Sequence, residues 1–505
     1  MHACLNVDEI IRLIAHEVAE SKAKATAVAL ACCCRIFEDP VLDVLWETQE
    51  NLLPLLRTLP GGVWKESVCT VSEPETHISS SLKCLIPKSF KRRPTTLERA
   101  RFRNYARRMR KIREHGRLRV LSLEVFSVLQ RWASDEPLFP NLGTLVLWFV
   151  SRKFVPFIPL FLSPRTTVIG ITFDESDPPK AMGTSVVTSF PTMCPNLRRI
   201  SLRRLPRDPT VIAAVSGMIL ASNRNTLQYV DVDSPLTEEA RATLYTHSDL
   251  RELSVVVEKD LPPVVLPNLT KLTIGCNHDS DWLGIFREAT FGKLEVVTFN
   301  SESKPASDFL ETFERAALAA SLQNALSGFY LYTPHPWNPS YPSLLSFTRL
   351  TSVVIYFSCV GGCSSSVEDG IITDLAQAMP KLENLQLGGP PCREIRAGVT
   401  AKGLALLAHH CQDLAVLRVH FRVASLYTPP TIAGMTSNVD FTTMRRNNSL
   451  KNLMVGAMPM PEALVPMVAL TLAQIFPRIE YVGYIDRNWE KVVDAIRLSR
   501  QNLPR

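Results

Sequence analysis

The chain has 505 residues, 46% of them hydrophobic and 21% charged, with a formal net charge of +7. That is enough apolar material for large cores and too much for broad disorder. The most apolar stretch, ALVPMVALTLAQIF (463–476), is too short for a bilayer and no basic start leads into an apolar run, so neither membrane insertion nor secretion is expected. The twelve cysteines form no CxxC pairs, which predicts reduced thiols and a cytoplasmic and/or nuclear protein.

In NVDEIIRLIAHEV, Asn6 and Glu9 have the spacing of a capping box, and Val7, Ile10, Ile11, Ile14 and Val18 form one stripe, which predicts a first helix. KAKATAVALACCCRIF predicts a second, with Val28, Ala31, Cys32 and Arg35 near one face. In EDPVLDVLWE (38–47), Asp39 can cap and Pro40 suits a first turn, so a short third helix is predicted to begin there. Three helices in so few residues enclose too little apolar surface to stand securely alone, and this unit is expected to need a partner.

Residues 88–119 carry fourteen Lys or Arg against Glu98 and Glu114, so the net positive charge is local and the rest of the chain is slightly acidic. Leu97, Phe102, Tyr105, Ala106, Met109 and Ile112 recur there at roughly helical spacing, which predicts a basic amphipathic helix with a solvated basic face, acting as a rigid connector. Nucleic acid is not the expected partner.

From residue 118 onward one hexad returns: an apolar residue, two variable, one apolar, one variable, one apolar. Fourteen begin at Leu118, Leu142, Val168, Leu197, Leu227, Leu250, Leu269, Leu294, Leu326, Leu350, Leu382, Leu414, Leu450 and Ile479, at a mean interval of about 28 residues. Each is a short strand with its last two apolar residues inward, and segments such as 368–380 and 401–411 return the chain as helices. The fold class is therefore α/β: three N-terminal helices, then a solenoid with a curved parallel sheet inside and helices and loops outside. The expected divisions are a helical domain (1–60), a linker with the basic helix (61–116), about fourteen degenerate repeats (117–487) and a C-terminal helix or tail (488–505).

CPNLRRISL (194–202), MPKLENLQL (379–387) and CQDLAVLRV (411–419) resemble the cysteine-containing leucine-rich repeats of F-box proteins. The succession LNVDEIIRLI, LACCCRIFEDPVLDVLW and LLPLLRTLP likewise resembles the F-box of fungal F-box and leucine-rich-repeat proteins. That family's first motif has a Pro beside its leading aliphatic residue, which Val7-Asp8-Glu9-Ile10 lacks. Its second is matched by Cys34-Arg35 with Phe37, and its closing Leu-Trp by Leu45-Trp46. The resemblance implies that Val7, Ile10, Ile11, Leu13, Ile14, Leu30, Cys34, Phe37, Leu45 and Trp46 form the core and docking surface for the Skp adaptor of a cullin ubiquitin ligase. The chain would then be a noncatalytic substrate-recognition subunit. The alternative is a repeat scaffold without ligase function, its N-terminus a helical cap on the first repeat.

No phosphate loop, nucleophile elbow, HExxH helix or kinase signature set is present, and neither Cys359 with Cys363 nor His409, His410 and Cys411 has zinc-site spacing, so no enzyme activity, cofactor or metal is expected. An unidentified target protein is expected on the concave face, where variable residues stand on the strands. Arg199 and Arg203 there suit an acidic or phosphorylated motif, with Tyr229 an aromatic anchor and Asp231 and Asp233 on the next strand. Those opposite charges are also placed to pair across the ladder.

Overall fold

The computed structural model describes residues 7–20, 24–71, 82–115, 121–133, 136–177, 184–222, 226–257, 264–276, 282–335, 337, 339–357, 367–388, 398–420, 426, 444–456, 460–484 and 486–501. The chain forms two compact units, 1–249 and 250–505. Among the described residues no helix is long and apolar enough to cross a membrane.

The first unit opens with α1 (Asp8–Glu20), α2 (Lys24–Cys33) and α3 (Arg35–Glu47). Asn6, expected to cap α1, lies outside the described residues; the Ile10 and Ile11 amides donate to the Val7 carbonyl. The third helix begins four residues before the expected Asp39. Extended backbone at Cys34 ends α2 and starts α3, and Pro40 sits inside the helix, buried.

A parallel ladder follows, in the order β1 (Thr48–Gln49), β4 (Lys111–His115), β5 (Thr144–Val150), β6 (Val168–Phe173), β7 (Arg199–Arg203) and β8 (Tyr229–Val232). Between its first two strands run the short helix α4 (Leu53–Leu56), an antiparallel hairpin of β2 (Trp64–Val71) and β3 (Leu82–Phe90), and α5 (Thr96–Ala106). The helices α6 (Leu123–Trp132), α7 (Thr184–Met193), α8 (Pro209–Ala221) and α9 (Glu238–Tyr245) complete this unit. The basic segment is thus a helix and then a strand. Thr95 and Glu98 form a full capping box that starts α5, and Phe102 and Ala106 are buried while Leu97 is exposed.

Among the described residues the second unit carries a ladder of nine parallel strands, Glu252–Val257, Lys271–Cys276, Val296–Ser301, Gly328–Thr333, Ser352–Phe357, Asn384–Leu387, Val416–Arg418, Asn452–Gly456 and Tyr481–Tyr484, hydrogen-bonded in chain order, and a separate parallel pair, Val264–Leu266 with Ala289–Phe291. Amphipathic helices such as Phe309–Ala319 and Asp369–Ala378 connect them, and the helix Asn488–Gln501 closes the unit. Phe313 lies at the centre of an aromatic core, with ring centroids 5.0 Å from Phe329, 5.4 Å from Phe347 and 5.5 Å from Phe299.

Twelve hexads sit as read, each strand starting at the third residue of its hexad. Their fourth residues are buried and pair in a column within each unit, Leu145, Ile200 and Val230 in the first, where Ile169 fills the same column between Leu145 and Ile200, and Leu253, Leu272, Val297, Phe329, Val353, Leu385, Leu417, Leu453 and Val482 in the second. Each such side chain contributes about 1.5–3 kcal/mol by leaving water.

Two hexads depart from the reading. At Val168 the true frame starts two residues earlier: Thr166 holds the leucine position, fully buried because its hydroxyl donates to the Leu142 carbonyl at 2.9 Å. At Leu118 residues 118–120 lie outside the described residues, and Ser122 caps α6 rather than joining a strand. The strand expected there is β4 instead, in the frame Met109, Ile112, Glu114, where a buried Glu stands at the last apolar position.

Backbone hydrogen bonds set the register. The carbonyl at the second hexad position accepts two successive amides of the next repeat: Glu295 O takes Ser327 N (2.8 Å) and Gly328 N (3.1 Å), and Thr351 O takes Glu383 N (2.7 Å) and Asn384 N (3.0 Å). Arg110 O receives Gly143 and Thr144 in the same way, and Arg110 N itself donates to Glu47 O at 2.9 Å. Since Thr48 pairs with Lys111, Trp46 holds the leucine position of the ladder's first rung. The helix of EDPVLDVLWE therefore runs directly into the sheet.

Candidate docking surfaces

The helical unit has a core of Ala15, Ala27 and Val41, against which Val18, Leu30, Ala31, Phe37, Val44 and Leu45 pack in part. Side chains this small hold three helices together but leave the larger aliphatic ones outside. Leu13 is 65% exposed, Val28 52%, and Val7, Ile14 and Ile36 are also open to solvent. Of the residues expected to dock, Val7, Leu13 and Ile14 are therefore on the surface, Ile11 is buried, and Ile10, Leu30, Cys34, Phe37 and Leu45 are half-buried. Trp46 differs from these: its ring lies 4.8 Å from that of Tyr105 on α5, so it also holds the helix to the segment that follows.

Asp39, Asp43 and Glu47 recur every fourth residue on α3 and form an acidic stripe. Arg108 donates to both Asp39 and Asp43 and is only 13% exposed. Arg12 reaches Asp43 from α1 at 3.1 Å, and Lys111 reaches Glu47 at 2.9 Å. Burial pushes the Glu47 carboxyl up, but the hydrogen bond and charge of Lys111, with His16 and Arg110 nearby, outweigh it and leave the group below its ordinary value. The basic face of this segment is solvated at Arg99, Arg101, Arg107, Arg110 and Arg113, while Arg92 pairs with Glu98, Arg103 and Arg107 with Glu136, and Arg108 departs from that face by closing on α3. The run of like charges at spacing four, Asp39, Asp43 and Glu47, was the signal for this clamp.

On the strand face, Arg199 lies over the Tyr229 ring at 4.3 Å, and Arg203 Nε donates to Asp231 Oδ2 at 2.7 Å. Asp231 is buried and also accepts from Ser201 at 2.7 Å. Asp233 accepts the backbone amides of Arg204 and Leu205, and burial raises its pKa despite those two bonds. The two acids are therefore spent inside the ladder, and Arg199, Arg203 and Tyr229 remain its outward members. The aromatic residue that sequence reasoning missed is Trp148, 38% exposed on β5, hidden within an apolar run (LVLWFV) that carries no mark of which side chain turns outward.

Cys411 donates to the carbonyls of Met379 (3.5 Å) and Ala376 (3.8 Å), and burial pushes its thiol up to about 12. His409 accepts the Arg445 amide at 3.1 Å, while Cys359 and Cys363 lie outside the described residues. Among the described residues no three His, Cys, Asp or Glu side chains gather as metal donors. The chain matches no protein-family model and no curated protein.

Proposed function

We propose that the chain is the substrate-recognition subunit of a Skp–cullin–F-box ubiquitin ligase, with the three helices docking on the Skp adaptor and the repeats holding a target protein. The observation that carries this reading is the alanine-sized core of the helical unit, which leaves Val7, Leu13, Ile14, Val28 and Ile36 in solvent directly ahead of a parallel repeat ladder. Exposed aliphatic side chains on so small a unit favour a protein partner. In this reading the chain does no chemistry itself: it raises the effective concentration of a held target beside the ubiquitin-loaded enzyme.

The test is co-purification of the full chain with the Skp adaptor. Leu13→Asp with Ile14→Asp places two carboxylates in the contact and is expected to weaken it by about hundredfold or more, the cost of desolvating unpaired charge. Both side chains are exposed, so circular dichroism of the variant should match the parent. Unchanged co-purification would overturn the reading.

A second reading, a repeat scaffold with a helical cap, is favoured by the stacking of Trp46 on Tyr105 and by the Arg108 clamp. Under it the parent chain does not bind the adaptor at all.

A further inference from the structure

Among the described residues of the first unit, two that are not glycine hold left-handed backbone, Phe149 (φ 55°) and Arg204 (φ 61°), and they touch: the Arg204 guanidinium lies 5.1 Å from the centre of the Phe149 ring. Such conformations are costly for residues with a side chain and persist only where the surroundings impose them. The surroundings do so here. Asp233 holds the Arg204 and Leu205 amides, and Glu175 holds the Arg204 side chain at 3.1 Å. At the same place the register of β5 against β6 shifts between Leu147 and Val150, and Trp148, which alternates outward with Thr144 and Val146, is exposed on the strand face.

Beside Trp148 that face has a trough. Gly170 on β6 pairs with Val146 on one side and Ser201 on the other, and it carries no side chain over the Val146 methyls. Outward positions on and beside β4 to β8 carry Lys111, Arg113, Arg199 and Arg203 with Asp231 and Asp233; Lys111 pairs with Glu47 and Arg203 with Asp231, and the cations on either side of Val146 and Gly170 are Arg113 and Arg199. The trough is thus apolar at its floor, aromatic at one end and positive at its rims. Arg113 and Arg199 stand three strands apart, about 14 Å at the usual strand spacing.

We infer that this trough docks an extended protein segment that carries a carboxylate on either side of a large apolar residue, the apolar residue lying against Trp148 and Val146. The inference rests on the proposed role of the repeats as the target-holding part. A polyanionic nucleic acid is a poorer match, because its affinity comes from many adjacent phosphate contacts and the cations here are few and separated by apolar surface.

The probe is a set of dye-labelled dodecapeptides with Glu placed at varied spacing on both sides of one Leu or Phe. Matched sets carry Gln or Lys for Glu, and a mixed-sequence RNA dodecamer is run alongside; anisotropy is read with the full chain. The Glu set is expected to bind about tenfold or more tighter than the Gln set, and Trp148→Ala to lose about tenfold. Gly170→Glu puts a negative charge in the trough without removing any native contact, a Cβ there meets Val146 at an ordinary 3.5 Å, and an unchanged thermal unfolding curve separates its loss of binding from misfolding. Equal binding of the Glu and Gln sets, undiminished binding by Gly170→Glu, or tighter binding of the RNA would overturn the inference. Adaptor co-purification on the same preparations separates the two ideas. Adaptor bound without Glu preference sinks the trough alone, and Glu preference without adaptor sinks the ligase reading alone.

Discussion

Arg108 shows how one side chain decides the attachment of a helix. It bonds two carboxylates of α3 and is nearly enclosed, so Arg108→Met removes charge-assisted hydrogen bonds worth about 1.5–3 kcal/mol and leaves half-buried Asp43 with only Arg12. Limited proteolysis should then release the helical unit first, while Arg107→Met, whose partner Glu136 is exposed, should change little. Glu47 adds a pH dependence. Its folded pKa is lowered, so its contribution is present at neutral pH and is lost as pH falls from the ordinary carboxylate value through the folded one. Asp233 acts in the opposite sense: its raised pKa makes the folded state hold the proton, so its contribution declines as pH rises above the ordinary value. Urea midpoints between about pH 3 and pH 7 are expected to flatten for Glu47→Gln and to steepen for Asp233→Asn. These roles were barely legible beforehand. Charge spacing placed Arg199, Arg203, Asp231 and Asp233 on neighbouring strands, but which carboxylates face inward depends on burial, which the hexad does not encode.

At the scale of elements, the hexad was highly legible because its leucine position and the two inward residues of its strand are buried and, with few exceptions, apolar. It failed where another residue meets the same need. Thr166 replaces a leucine by satisfying its hydroxyl on the Leu142 carbonyl, and Glu114 replaces an aliphatic residue in β4. Thr166→Val should therefore destabilise by about 1–2 kcal/mol, despite being more apolar, because the hydroxyl also receives the Ser163 amide at 3.1 Å. A short turn was equally legible and went unread: Phe139, Cys194 and Met379 are each followed by Pro, and each carbonyl accepts the amide three residues on, at 3.1 to 3.2 Å. Phe313→Ala empties the aromatic core of the second unit and is expected to cost about 3–5 kcal/mol, measured by thermal unfolding.

At the scale of the whole molecule, the exposed aliphatic side chains of the helical unit should govern how the chain behaves in solution. Co-expression with the Skp adaptor is expected to raise the yield of dispersed protein, and Leu13→Asp with Ile14→Asp to do so without the adaptor. Light scattering reads both. No improvement from either would place those side chains against some other part of the protein. The shared carbonyl of each rung bears on how such a chain is inherited. Thr351 and Glu383 occupy the same place in successive repeats, and each presents one oxygen to two amides ahead. A stretch of gene cut at two such residues can be lost or copied, and the rejoined chain still offers every amide its oxygen. Whole rungs are thus the unit in which the ladder can lengthen or shorten, whereas a single codon gained or lost inside a hexad turns its inward side chains out.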